Sequence, residues 1–150
     1  MTNKAEKQKI WKYNELENLY QNTAEVQLGN RLLRILRMAN EKGSMIESEN
    51  HYPSFGLRGK SGKRIMSFWS PEEHHTNVRG SVHIFVNPER YANLNERDVL
   101  LEKLNKLLHF SDELDKLNFG KTSKKSLAEL TEEDFLAFTK ILEEYGFDRY

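Results

Sequence analysis

Arg58, Lys60, Lys63 and Arg64 crowd around the segment Gly59-Lys60-Ser61-Gly62 and put a cluster of fixed cations on one short piece of chain. Glycine has no Cβ, so Gly59 and Gly62 let backbone N–H groups approach an anion closely, and the cations beside them suit a phosphate backbone or an acidic protein surface. Arg79 joins them as a further docking residue. The plainer reading is an exposed hairpin tip, where lysine, glycine and serine are ordinary. The segment is not a Walker loop. That motif runs from Gly-Lys-Ser or Gly-Lys-Thr into a helix, whereas Gly62-Lys63 leads into Arg64 and strand-forming residues.

A second constellation follows in Glu72, Glu73, His74 and His75, with His83 further on. Carboxylates and imidazoles of this kind can hold zinc, manganese or nickel. Adjacent His74 and His75 diverge, however, and no two-histidine helical spacing is present, so no metal site and no cofactor are expected. His83 shares a strand face with Phe85 and reads as a satisfied, partly buried imidazole. Ser54, Ser61, Ser67, Ser70 and Ser81 lack a Gly-x-Ser-x-Gly elbow, and the strand-forming stretches of 53–86 lack the Glu-x-Lys pair of a metal-dependent nuclease. His75 or His83, with Glu73 and with Arg64 or Arg79, could still cleave nucleic acid. The imidazole would move the proton, and the guanidinium would meet the developing charge.

These residues lie in the one region that does not read as helix. Helical spacing of Ile10, Tyr13 and Tyr20 predicts a first helix over 4–20, with Trp11 off its apolar stripe. A second runs over 23–42, where Val26, Leu32, Leu33, Leu36 and Ala39 form the stripe, Arg31, Arg34 and Arg37 ride the opposite side, and Gly43 supplies a stop. From 45 to 88 the character is β. Residues 53–58 and 63–69 flank the glycine turn as a hairpin, 81–86 alternate as a third strand ended by Pro88, and 45–49 are a short strand or an extended lead-in. Apolar side chains on both alternating faces predict helical cover on both sides of this sheet, the N-terminal pair on one and C-terminal helices near the other. Helices return over 95–146. Asn95 caps the first, Ser111 caps a short one through Leu117, a polar connector spans 120–125, and Thr131 opens a last helix that ends at Gly146.

The chain of 150 residues therefore reads as one α+β domain: a three-stranded meander, four-stranded with 45–49, flanked by an N-terminal helical pair and C-terminal helices. Twenty-three basic and 23 acidic residues cancel, so the whole molecule projects no strong field and any nucleic-acid binding must be local. The absence of cysteine excludes disulfides and a thiolate nucleophile and fits a cytoplasmic protein. No apolar run is long enough for a membrane span. The expected function is that of a non-enzymatic accessory protein that contacts a protein partner or nucleic acid through Arg58, Lys60, Lys63, Arg64 and Arg79. The alternative is a small nucleic-acid hydrolase built on the 72–83 region.

Overall fold

Phe55, Leu57, Met66, Phe68, Val82 and Ile84 are fully buried on one face of an antiparallel sheet. Cross-strand pairing sets them in rows, Leu57 beside Met66 beside Ile84 and Phe55 beside Phe68 beside Val82. The computed structural model describes residues 9–69, 80–114 and 119–148. Among them the sheet has six strands in sequence order: β1 Lys9–Trp11, β2 Met45–Asn50, β3 Ser54–Arg58, β4 Arg64–Trp69, β5 Val82–Phe85 and β6 Gly120–Thr122. Helices α1 Tyr13–Asn22 and α2 Val26–Lys42 lie between β1 and β2, α3 Leu94–Leu108 lies between β5 and β6, and α4 Glu132–Tyr145 follows β6.

The class is α+β with an antiparallel sheet, as the sequence implies, but a meander of three or four strands undercounts it. β1 and β6 add the two edges. Lys9–Trp11 was expected within a helix; it pairs with 48–50 instead, and the Trp11 indole donates to the Asn50 carbonyl at 3.1 Å. Lys12 has extended backbone angles, so the helix begins only at Tyr13. The expected polar connector at 120–125 supplies β6, whose Lys121 stands opposite Ile84. Asn93 rather than Asn95 caps α3, accepting from the Glu96 amide at 2.8 Å. Residues 111–114 are not helical, and 115–118 lie outside the described residues. Thr131 does cap α4, accepting from the Asp134 amide at 3.1 Å, and Gly43 does end α2 in the left-handed conformation with φ 77°.

All of these helices feed the same core. Leu16 and Tyr20 come from α1, Leu32 and Leu36 from α2, Leu100 and Leu104 from α3, and Phe138 and Leu142 from α4. Tyr20 meets Phe55 and Phe138 meets Phe68, each with ring centroids 6.3 Å apart, so α1 and α4 cover the same face of the sheet. Each such large apolar side chain contributes roughly 1.5–3 kcal/mol by leaving water. Among the described residues the expected two-sided helical cover is therefore corrected to one side. Register explains it: Phe68 pairs with Val82 and belongs to the core row, while the reverse face carries Ser54, Gly56, Ser67, His83 and Thr122, with Ile46 and the buried Phe85 as its apolar residues.

The arginine flank of α2 is also spent inside the molecule. Arg31, expected on the solvated side, is only 4% exposed. Its Nη1 donates to the carbonyls of Leu127 (2.6 Å) and Leu130 (2.7 Å), and its plane lies 4.9 Å from the Phe135 ring. Arg37 pairs with Glu17 at 3.1 Å.

Candidate functional site

The turn between β3 and β4 uses up its own glycine amides. Gly59 N donates to the Lys63 carbonyl at 2.8 Å and Gly62 N to the Gly59 carbonyl at 2.9 Å, so neither is left to grip an anion as the sequence suggested. The cations fare differently from one another. Lys60 and Lys63 are exposed at the tip, with Lys60 Nζ 6.0 Å from the Tyr145 ring. Arg58 and Arg64 are half-buried.

A register shift decides where Arg64 goes. Leu57 pairs with Met66 but Arg58 pairs with Arg64, which leaves Ile65 as an extra residue in β4. Such a bulge breaks the strict alternation of side chains, and here Ile65 is buried in the core while Arg64 turns onto the reverse, polar face. There the guanidinium lies across Gly56: a Cβ at that position would come within 2.6 Å of Arg64 Nε. Arg64 Nη1 donates to Ser67 Oγ at 3.4 Å.

Arg64 forms one wall of a cavity of about 200 Å³ together with Ser48, Ser54, Ser67 and His83, with the exposed Glu49 also on its lining. The neighbouring strands β2, β3, β4 and β5 each supply a side chain, because on this face they carry mostly small or polar residues, with Ile46 and Phe85 the apolar exceptions, where the core face carries Phe, Leu and Met. His83 is buried, its Nδ1 lies 3.1 Å from Thr122 Oγ1, and its ring stands edge-on to Phe85 at 4.9 Å. Gly120 on β6 makes room for that ring, since a Cβ there would collide with Nε2.

Arg90, which the sequence reading passed over, completes the electrostatics. The 3-10 helix Pro88–Arg90 folds it back toward the hairpin, where Ser61 Oγ donates to its carbonyl at 2.6 Å. Arg90 Nη1 donates to the Arg64 carbonyl at 3.0 Å, and its guanidinium lies 4.5 Å from the Phe85 ring. Burial, and then the charges of Arg90 and Arg58, hold the Arg64 pKa below the ordinary arginine range. No ion pair among the described residues involves Arg58, Lys60, Lys63, Arg64 or Arg90.

Of the residues singled out by sequence, Arg64 and His83 share the cavity, Arg58 flanks it, and Lys60 and Lys63 stand apart at the tip. Glu72, Glu73, His74, His75 and Arg79 lie outside the described residues. Ser54 and Ser67, weighed only as nucleophiles, line the same cavity, and Ser48 was missed because a serine carries no signal until its neighbours are known. Among the described residues no group of His, Asp and Glu could hold a metal ion, and no helix is long and apolar enough to cross a membrane. No protein-family model, curated protein or solved structure matches this chain.

Proposed function

We propose that this chain is a non-enzymatic binding protein that docks on nucleic acid through its β3–β4 hairpin, with Arg58, Lys60, Lys63 and Arg64 meeting phosphates and Arg79 as a further contact. The reading rests on the hairpin cations, which no carboxylate among the described residues neutralises. In a chain with as many acids as bases, Arg31, Arg37 and Lys103 each find a carboxylate, while Arg58, Lys60, Lys63 and Arg64 find none among the described residues. Guanidinium and hydroxyl donors side by side favour phosphate oxygens, which accept from both, over an acidic protein surface.

Labelled RNA and DNA oligonucleotides test it by gel retardation across a salt series. If all four cations meet phosphates, log affinity falls with log salt at a slope of roughly 3 to 4, and Lys60→Ala with Lys63→Ala lowers that slope by roughly 2. No retardation at low salt overturns the proposal, and capture of an acidic protein in its place would assign the hairpin to a protein partner. The common wall of His83 and Arg64 favours one second reading, a small hydrolase in which His83 moves a proton and Arg64 meets the developing charge. Cleavage in the same incubations, with or without divalent metal, that disappears in His83→Ala would establish it.

A further inference from the structure

Ser48 and Ser54 are 5% and 2% exposed, and the Oγ of each has no hydrogen-bond partner among the described residues. A hydroxyl left unmet in a protein interior is costly, and two bordering one cavity call for a common acceptor. They belong to the same side of the sheet, since Ile46 pairs with Gly56 and each serine lies two residues from one of that pair. Arg64 faces the same space with no carboxylate partner among the described residues, its Nη1 donating to Ser67 Oγ at 3.4 Å. Donors thus converge on a small volume where, among the described residues, the acid and amide side chains on the lining are Glu49 and Asn50, and the Asn50 Oδ1 already accepts from the Tyr52 amide at 3.4 Å. The carboxylate on the lining, Glu49, is exposed and works against an anion, but Arg58 and Arg90 flank Arg64 with the opposite sign.

We infer that this cavity binds one phosphate monoester group, taken by the Arg64 guanidinium and the hydroxyls of Ser48, Ser54 and Ser67. A terminal phosphate has three free oxygens and a charge near −2, which matches a guanidinium and several hydroxyls better than an internal phosphodiester with two free oxygens does. The volume, about 200 Å³, lies below the range of roughly 300–1,000 Å³ typical of drug-sized ligands and suits a single oxyanion group. The inference deepens the nucleic-acid reading and rests on it for the source of the group: the end of a phosphorylated strand, with the hairpin cations along the chain behind it.

The test compares three probes on the intact protein by calorimetry: inorganic phosphate, an oligonucleotide with a 5′-phosphate or 3′-phosphate, and the same oligonucleotide with hydroxyl ends. The expected result is that a terminal phosphate at one of the ends tightens oligonucleotide binding about tenfold or more, and that inorganic phosphate competes with that gain alone. Ser54→Ala should lose the gain, by about tenfold for one bond to a charged acceptor, while keeping or raising stability without ligand because an unmet hydroxyl is removed. Arg64→Gln should abolish the gain, and Lys140→Ala, on the exposed side of α4, should leave it intact. Equal binding of phosphorylated and hydroxyl ends overturns the inference and spares the nucleic-acid reading. Binding of inorganic phosphate that Ser54→Ala and Arg64→Gln both abolish, with neither oligonucleotide bound, supports the pocket and overturns the nucleic-acid source.

Discussion

Arg31 and Arg64 are both guanidiniums drawn out of water, and they differ in what each one meets. Arg31 donates to the Leu127 and Leu130 carbonyls, packs on Phe135 and lies 3.5 Å from Glu132, whose side chain is 72% exposed. The carbonyls are buried obligations of the backbone, whereas an exposed carboxylate is already served by solvent. Arg31→Ala is therefore expected to cost roughly 2–5 kcal/mol by urea denaturation, because it strands both acceptors and empties the space against Phe135. Glu132→Gln should cost less than about 1 kcal/mol. Equal losses would mean that the ion pair, and not the carbonyls, anchors α2 to the 127–130 segment. Both arginines were visible in the sequence as residue types, but their fates were not. Helical period places Arg31 opposite the apolar stripe and says nothing of the turn that arrives 96 residues later to claim it. Arg64 was marked as a cation of the hairpin, and only the bulge at Ile65 carries it to the polar face. Ser48 could not be marked at all, and Ser54 only as a serine without a nucleophile elbow, since the meaning of both depends on being brought together.

At the scale of elements, the legible parts were those with strong local chemistry. The α2 stripe from Leu32 to Ala39 with Gly43 after it, the glycine turn of the hairpin and the Thr131 cap all follow from the chain alone, though Val26, expected in that stripe, is 65% exposed. The edge strands were not legible, because β1 and β6 are three residues each, too short for alternation to show against the helical spacing around Trp11 or the polar run after Gly120. The connection from β5 to α3 turns on Tyr91, whose hydroxyl donates to the Phe85 carbonyl in the strand it has just left. Burial holds the Tyr91 phenol well above the ordinary tyrosine range. The folded protein thus keeps a proton that the unfolded chain releases near pH 10, so the stabilisation is complete below that pH and is lost as pH climbs from about 10 toward the folded value. Tyr91→Phe should cost about 1 kcal/mol at pH 7 to 9 for the lost hydrogen bond. Its deficit against the natural chain should then shrink by about 1 kcal/mol per pH unit above pH 10, with at most 1.36 kcal/mol available from one proton. Tyr13, raised by burial and by Glu17, is common to both proteins and cancels. A deficit that stays constant to pH 12 would show that Tyr91 loses its proton at the same pH in the folded protein as in the unfolded chain, so that burial does not hold it.

For the molecule as a whole, one-sided helical cover makes the centre of the sheet and its edges unequal. Phe55, Phe68 and Val82 form a row across β3, β4 and β5, with Phe55 and Phe68 stacked at 5.0 Å and Phe138 closing over them from α4. β1 and β6 each have a partner on one side only among the described residues, and in β1 Ile10 is 51% exposed and Trp11 only partly buried against the core, so less apolar burial holds that edge than the centre. Opening β1 breaks the three residue pairs Lys9 with Asn50, Ile10 with Glu49 and Trp11 with Ser48, while opening β4 disrupts the aromatic row and with it the core. Native-state hydrogen exchange should therefore show the slowest amides at Phe55, Leu57, Met66 and Phe68, opening only with global unfolding, while the amides of β1 exchange through a local opening of much lower free energy. Mild urea should leave the β1 exchange rate unchanged and speed that of β4, because only the second process exposes substantial surface. If β1 and β4 instead share one free energy of opening and one urea dependence, the N-terminal edge belongs to the same cooperative unit as the aromatic row, and the polar cavity beside Ser48 is as rigidly walled on that side as it is at Ser67.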